Sequence, residues 1–90
     1  MLKILEDLIL LVRERKANPK KNSYTNELLK DNNLAKEKIK EEINELIEAI
    51  EKDTNKIHEA ADVLYHLLVY LEVNNIKVED IMSELNKRKR

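Results

Sequence analysis

The chain has 90 residues, of which 39% are charged and 42% are hydrophobic, and its formal net charge is −1. It has no Cys, no Gly and one Pro, which excludes disulfides, thiolate metal sites, thiol nucleophiles and glycine-rich phosphate-binding loops. No segment approaches the roughly 18 uninterrupted apolar residues of a membrane span, so we expect a cytoplasmic protein without a membrane partner.

The length and the composition together favour one small helical domain. The absence of Gly removes the usual turns of β-hairpins. We therefore predict an all-α fold, a helical bundle of four to five helices in a single domain over residues 1–90. A core of this size is only marginally stable, so the bundle is expected to be completed by dimerisation.

Charge is distributed unevenly along the chain. Residues 1–40 carry 10 basic and 6 acidic side chains, residues 41–62 carry 2 and 8, and residues 63–90 carry 5 and 4. Nucleic-acid-binding domains usually have a dominant basic stripe with aromatic or Arg side chains that contact bases, whereas this chain has three Tyr and no Trp or Phe. Nucleic acid is therefore not expected as a ligand.

The first predicted helix spans about residues 2–16, with apolar side chains on one side and basic side chains near its C-terminal end. It ends before an irregular segment at 17–23. Ser23 or Thr25 is expected to cap a short second helix. The Asn pair at 32–33 is expected to interrupt the helical pattern after it.

A third helix is predicted over about residues 34–52 and a fourth over about 55–73, joined by a tight turn that makes them antiparallel neighbours. The Asn pair at 74–75 can supply the left-handed conformation that closes the fourth helix. A last helix is predicted over about 78–87, and the terminal sequence KRKR is expected to be a solvated end.

Apolar side chains follow one face of each of the two long helices. They are Ile39, Ile43, Leu46, Ile47 and Ile50 on the third helix and Ile57, Ala60, Leu64, Leu67, Leu68 and Leu71 on the fourth. The opposite side of the fourth helix carries Glu59, Asp62 and His66 and then becomes apolar at Val69 and Val73. Because so short a chain has few other helices to cover both sides, we predict a homodimer formed through the fourth helix.

Carboxylates recur at three-residue spacing on the same two helices. Glu42 lies at the border of the apolar face of the third helix and Glu45 about 60° further round, and Glu59 and Asp62 lie on the fourth. If the helices pack antiparallel, the two pairs can face each other across a groove with their oxygens converging. Oxygen ligands suit Mg²⁺, which fills its remaining positions with waters and phosphate oxygens. The pattern predicts a magnesium site that binds a diphosphate or triphosphate.

A second interpretation of these carboxylates remains open. Glu-rich helices are usually solvated surfaces supported by i,i+4 partners. The chain would then be a non-enzymatic helical interaction module whose apolar fourth helix binds a partner. His66 taken by itself is more often a packing residue than a ligand, and His58 is expected to be exposed at the start of its helix.

Several motifs resemble those of a known family. EExxE at 41–45 with ExxD at 59–62 is similar to the motifs of the all-α nucleoside triphosphate pyrophosphatases, the MazG-like superfamily. The surrounding motifs are ERK at 14–16, SYT at 23–25, KxxEExxE from Lys38, EAADVLYHLLVYL at 59–71 and ELxxR ending at Arg88. Together they resemble the phosphoribosyl-ATP pyrophosphohydrolase family along nearly the whole chain.

This resemblance implies an enzyme of histidine biosynthesis that hydrolyses phosphoribosyl-ATP, its nucleotide substrate, to phosphoribosyl-AMP and pyrophosphate with Mg²⁺. The alternative within the superfamily is a MazG-like enzyme that removes non-standard nucleoside triphosphates. The first activity is favoured because the SYT and DxLYH motifs lie outside the general metal-binding pattern.

The resemblance also implies roles for individual residues. The implied metal ligands are Glu42, Glu45, Glu59 and Asp62. Glu41 is the implied catalytic residue, either as an additional ligand or as the group that orients or deprotonates the attacking water. The implied substrate-binding residues are Arg15, Lys16, Ser23, Tyr24, Thr25, Lys38 and His66, although Ser23 and Thr25 fit a helix cap equally well. The family commonly has Gly where this chain has Lys40.

Overall fold

The computed structural model describes residues 1–89, which form five α-helices. In chain order these are α1 (Lys3–Ala17), α2 (Tyr24–Leu29), α3 (Asn32–Lys52), α4 (Lys56–Val73) and α5 (Val78–Lys87). No strand occurs among the described residues, and the all-α prediction with its order of helices is confirmed. Arg90, the last residue of the predicted solvated end, lies outside the described part of the chain.

Side chains that precede the helices determine where α2 and α3 begin. The Ser23 hydroxyl accepts a hydrogen bond from the backbone amide three residues later at 3.3 Å and caps α2, so Thr25 lies within the helix. Asp31 caps α3 in the same way at 3.1 Å. The predicted interruption at 32–33 is therefore wrong, because the cap at Asp31 places both Asn residues in the first turn of α3.

The turns of this chain use Asn and Asp where other proteins use Gly. The residues with positive φ are Asn22, Asp53, Asn55 and Asn75. Asn and Asp enter the left-handed region more readily than other residues with a Cβ. Asp53 ends α3 in this conformation, and the next amide donates to the Ala49 carbonyl at 2.9 Å. The resulting short turn makes α3 and α4 an antiparallel hairpin.

The hydrophobic core lies toward the end of the hairpin that is distant from this turn. Its buried members are Val12, Leu28, Ala35 and Val69, one from each of the first four helices. Leu28 and Val69 have no exposed surface. The start of α3 and the second half of α4 are thus covered by α1 and α2, while the acidic half of the hairpin extends away from the core.

The face that the hairpin buries coincides only in part with the predicted one. The buried residues of α3 are Ala35, Ile39, Glu42 and Ala49, and those of α4 are His66 and Val69. The predicted apolar stripe is partly exposed instead, at Ile43, Ile47, Ile50, Ile57, Leu64 and Leu67. Small side chains at the contact favour close approach of two helices, and the two alanines of α3 lie on the buried face.

The assignment of Val69 to the dimer interface is accordingly wrong. Val69 belongs to the core of its own chain, and Val73 packs partly against that core. Val69 therefore has no surface left for a second copy, whereas Val73 keeps part of its surface exposed. The homodimer itself stays a prediction, and the exposed stripe of α3 and α4 is one apolar surface that is open to it.

Polar contacts hold the last helix against the first. The Arg13 guanidinium forms two hydrogen bonds with the two carboxylate oxygens of Glu79 on α5, one of them at 2.9 Å. An apolar cavity of about 500 Å³ lies beside this ion pair, between Leu5 and Ile9 on α1 and Met82 on α5.

Among residues 1–89, none of the helices combines the length and the apolar character needed to cross a bilayer.

Candidate active site

Carboxylates of α3 and α4 converge in the acidic half of the hairpin. Glu42, Glu45 and Glu59 each place an oxygen within 4.8 Å of the other two. The antiparallel packing brings the two acidic pairs together because residues three apart lie on one face of a helix. A cavity of about 190 Å³ opens beside Glu45 and Glu59, toward the α3–α4 turn. That volume holds several water molecules, so a hydrated cation fits within it.

Two of these acids have oxygens that the protein leaves unsatisfied. Glu42 is only 9% exposed, and Glu59 is half-buried. The Oε2 atom of each is buried without a hydrogen-bond partner among residues 1–89. Burial and then the charge of Glu45 raise the pKa of both carboxyl groups. Buried carboxylate oxygens without donors are unfavourable, so the site is suited to a positive charge between them.

Asp62 lies one helical turn beyond Glu59 and contacts a residue that the sequence interpretation missed. Its Oδ2 atom is 3.3 Å from Nε2 of His58, which is exposed, as expected. His58, Glu59 and Asp62 also have potential ligand atoms within 4.8 Å of one another. Glu59 therefore belongs to both groups and connects them. The i,i+4 spacing of His58 and Asp62 is the sequence signal that could have identified this contact.

Glu41 and Lys38 lie at the edge of the acidic cluster. Glu41 is exposed, and its oxygens are not among those that converge with Glu42 and Glu45. Lys38, one helical turn earlier, has its Nζ atom 3.7 Å from Oε2 of Glu41. The pair thus places an exposed carboxylate and an ammonium group next to the converging acids on α3.

The SYT segment is joined to α4 by side-chain hydrogen bonds. The Tyr24 hydroxyl lies 3.1 Å from Nε2 of His66, and the Thr25 and Tyr65 hydroxyls are hydrogen-bonded to each other. His66 is only 7% exposed, whereas Tyr24 is 44% exposed. The structure therefore brings three of the predicted substrate-binding residues, Tyr24, Thr25 and His66, together on the side of α4 that carries Asp62. Burial raises the pKa of Tyr24.

Arg15 and Lys16, the two residues of α1 that were predicted to bind substrate, form no ion pair with these acids within residues 1–89. Lys16 donates hydrogen bonds to the Glu72 carbonyl at 2.7 Å and to Oδ1 of Asn75 at 2.6 Å. Glu72 lies about 15 Å beyond Asp62 along the axis of α4, at 1.5 Å per residue. A phosphate contact by Lys16 would require its ammonium group to leave this position. Arg15 is half-buried, and its Nε atom has no hydrogen-bond partner within residues 1–89.

Comparison with known proteins gives a separate line of evidence. A sequence model of the phosphoribosyl-ATP pyrophosphohydrolase family matches residues 5–89. The chain is 43% identical to the phosphoribosyl-ATP pyrophosphatase of Clostridium novyi, over 97% of this chain and 82% of that protein. It is 38% identical to the enzyme of the same name from Haloarcula marismortui, over 96% of this chain and 93% of that protein.

A third relative is longer than this chain. The histidine biosynthesis bifunctional protein HisIE of Pyrococcus furiosus is 40% identical over 99% of this chain, and the match covers 43% of that protein. The same sequence pattern therefore occurs both in chains of similar length and as part of a larger protein.

Proposed function

Because the chain belongs to the phosphoribosyl-ATP pyrophosphohydrolase family, we propose that it hydrolyses phosphoribosyl-ATP to phosphoribosyl-AMP and pyrophosphate in a Mg²⁺-dependent step of histidine biosynthesis. Its relatives are named as phosphoribosyl-ATP pyrophosphatases, and the chain is a hydrolase that acts on a phosphoanhydride bond. The match extends over almost every residue, so it includes the SYT segment as well as the acidic motifs.

The observation that carries the proposal is the set of unsatisfied, converging carboxylates. Within residues 1–89, Glu42 and Glu59 each have a buried oxygen without a hydrogen-bond donor, and an oxygen of Glu45 lies within 4.8 Å of an oxygen of each. Together with Asp62, these side chains would hold Mg²⁺, since an all-oxygen donor set suits that ion. A bound magnesium ion would supply positive charge that neutralises phosphate oxygens and promotes attack by water.

The residues at the edge of the cluster have roles that follow from their positions. The exposed carboxylate of Glu41 lies outside the converging group of acids. It can therefore orient the attacking water and accept its proton. The ammonium group of Lys38 can bind a phosphate oxygen. Water then forms the new bond to phosphorus, the bridging bond between the α and β phosphates breaks, and pyrophosphate leaves.

The active form is proposed to be a homodimer. Six large apolar side chains of the hairpin are exposed, namely Ile43, Ile47, Ile50, Ile57, Leu64 and Leu67. None of the six belongs to the buried set of α3 or α4, which on α3 includes Glu42. A second copy that covered this face would remove an apolar surface that single small domains rarely leave in water.

Turnover of defined substrates tests the proposed reaction. Phosphoribosyl-ATP and a panel of free nucleoside triphosphates, canonical and non-standard, should be compared with and without Mg²⁺, with release of pyrophosphate as the measured quantity. The proposal predicts that phosphoribosyl-ATP has the highest kcat/KM and that chelation abolishes turnover. Faster hydrolysis of the non-standard triphosphates would instead support the MazG-like alternative.

A pair of variants tests whether the acidic cluster is the site. Glu45→Gln keeps the size of an exposed side chain but removes one converging charge, and Glu51→Gln removes an exposed charge elsewhere on α3. We expect Glu45→Gln to lower kcat/KM by roughly 100-fold or more and Glu51→Gln to leave it unchanged. Equal kcat/KM values for the two variants would show that the acidic cluster is not the active site.

A further inference from the structure

The hydrogen bonds around His66 determine which of its ring nitrogens carries the proton. Nδ1 of His66 lies 2.8 Å from the backbone carbonyl oxygen of Asp62. A carbonyl can only accept, so Nδ1 must donate. In a neutral imidazole the other nitrogen, Nε2, then has a lone pair and acts as an acceptor.

This assignment fixes the direction of the next hydrogen bond. The Tyr24 hydroxyl lies 3.1 Å from Nε2 of His66, and an acceptor at Nε2 requires the phenol to donate. A phenol has a single hydrogen. Tyr24 therefore has no hydrogen left for a phosphate oxygen, which can only accept, but its oxygen can still accept from a donor.

The phenol ring of Tyr24 is held in one orientation near the acidic cluster, and besides burial the charges of Glu42 and Glu41 help to raise its pKa. It lies edge-on to the His66 ring, with centroids 5.8 Å apart, and is stacked with the Tyr65 ring at 6.4 Å. Tyr65 is itself hydrogen-bonded to Thr25, the residue after Tyr24. Tyr24 remains 44% exposed while His66 is buried, so Tyr24 is the member of the network that a substrate can touch.

We propose that Tyr24 determines substrate specificity by accepting a hydrogen bond from a hydroxyl or amino group in the sugar or base portion of the substrate, and that His66 is a positioning residue that holds the Tyr24 hydroxyl in that role. The inference rests on the proposed function, because it takes the acidic cluster as the phosphoanhydride site. It separates the groups that bind phosphate from the group that recognises the rest of the nucleotide.

The first test uses Tyr24→Phe, which keeps the ring and removes the hydroxyl. We expect KM for phosphoribosyl-ATP to rise about 3- to 10-fold, the range of one neutral hydrogen bond, with little change in kcat. Inhibition by magnesium pyrophosphate should stay unchanged, since pyrophosphate lacks the sugar and the base. A parallel loss of pyrophosphate inhibition would overturn the inference by making Tyr24 a phosphate contact, and an unchanged KM would overturn it by leaving Tyr24 without a substrate contact.

The second test compares two replacements of His66. The side-chain oxygen of Gln can accept from Tyr24 much as Nε2 does, whereas Leu cannot accept. We expect His66→Leu to raise KM as Tyr24→Phe does, with no further rise when the two are combined, and His66→Gln to restore KM toward the wild-type value. If His66 only supports the fold, both variants should lose thermal stability and His66→Gln should not restore KM. That result would overturn the role of His66 in positioning the Tyr24 hydroxyl.

A spectroscopic measurement decides the proton assignment even if His66→Leu fails to fold. Long-range ¹H–¹⁵N correlation spectra of the wild-type protein distinguish the two neutral tautomers of His66, and we expect the hydrogen on Nδ1. A hydrogen on Nε2 would overturn the inference.

The controls separate failure of this inference from failure of the proposed function. The role of Tyr24 alone would be rejected if the wild-type enzyme is active, Glu45→Gln is inactive and Tyr24→Phe has an unchanged KM for phosphoribosyl-ATP. A wild-type enzyme without Mg²⁺-dependent turnover of phosphoribosyl-ATP would reject the proposed function and this inference with it.

Discussion

Glu42 lies on the buried face of α3, in line with Ile39 and Ala49, where an apolar side chain would stabilise the fold more. Its pKa is raised by burial and by the charge of Glu45. A carboxyl group whose pKa is higher in the folded than in the unfolded protein favours folding at low pH and opposes it at high pH. Without a metal, the ionised Glu42 therefore destabilises the fold at neutral pH, and acidification toward its raised pKa relieves that effect.

Glu42→Gln should consequently separate stability from activity. Without metal at pH 7, we expect its free energy of unfolding to increase by roughly 1–2 kcal/mol, because an unpaired buried charge is removed. Hydrolysis should fall by roughly 100-fold or more, since a metal ligand is lost. Urea unfolding and turnover measure the two effects.

Glu51→Gln is the matched control, since Glu51 is exposed on the same helix. Its stability and turnover should remain close to those of the wild-type protein. If Glu42→Gln were less stable than the wild type in the absence of metal, the carboxylate of Glu42 would have partners that the structure does not contain, and the account of the cluster would fail.

At the scale of the helices, α5 depends on one ion pair with α1. Its Val78 and Met82 border the apolar cavity beside Arg13 and Glu79 instead of filling it. The hydrogen bonds from Arg13, together with a backbone hydrogen bond, lower the pKa of Glu79 to about 2. The lowered pKa means that the folded protein favours the ionised form of this carboxyl group.

The attachment of α5 should therefore weaken in acid. A carboxyl group with a lowered pKa stabilises the folded protein above its unfolded value of about 4.5, and this contribution is lost as the pH falls toward about 2. Amide hydrogen exchange within α5 should accelerate over this range relative to α2, which lies in the core. Glu79→Gln should show the faster exchange already at neutral pH. Equal protection of α5 in both proteins at pH 7 would mean that the apolar contacts hold it without the ion pair.

Helix positions follow from local signals, and the sequence contains most of them. Capping side chains, the 3.6-residue period and Asn or Asp at the turns predict α1, α4 and α5 to within one residue, whereas α3 begins two residues earlier than predicted because Asp31 caps it. The buried faces of α3 and α4 differ in part from those predicted, because both helices are apolar on more than one side. Local pattern does not distinguish the side that meets the chain's own core from the side left to a partner.

The same limit applies to the candidate site. The acids could be grouped from the sequence because they are three residues apart on neighbouring antiparallel helices. Lys16 could not be placed, because its partners at the end of α4 are more than fifty residues away in the sequence. Local pattern also does not predict the contact between Tyr24 and His66 on α4, although the resemblance implies a substrate-binding role for both residues.

At the scale of the whole molecule, the exposed stripe on the hairpin is the feature that the single chain leaves unexplained. Ile47 lies in the middle of it and is 50% exposed. Ile76, in the loop after α4, is 44% exposed and lies at the other end of the hairpin. The two residues thus provide a matched pair for testing dimerisation.

Ile47→Lys should produce a monomer, while Ile76→Lys should remain a dimer. A charge in the centre of an apolar interface must be desolvated on association, which costs several kcal/mol, whereas a charge in an exposed loop remains hydrated. Light scattering coupled to size-exclusion chromatography measures the mass of each variant. A monomeric wild-type protein, or a dimeric Ile47→Lys variant, would contradict the assigned interface.

Locating a bound divalent cation shows whether the acidic cluster is a metal site. Mn²⁺ accepts the same oxygen ligands as Mg²⁺, and it broadens the NMR signals of nearby residues. We predict that substoichiometric Mn²⁺ broadens the backbone amide signals around Glu42, Glu45, Glu59 and Asp62, that Mg²⁺ competes with it, and that Glu45→Gln weakens the effect by at least about 10-fold in Mn²⁺ concentration. Broadening confined to other parts of the chain, or equal broadening in Glu45→Gln, would show that these acids do not bind the ion.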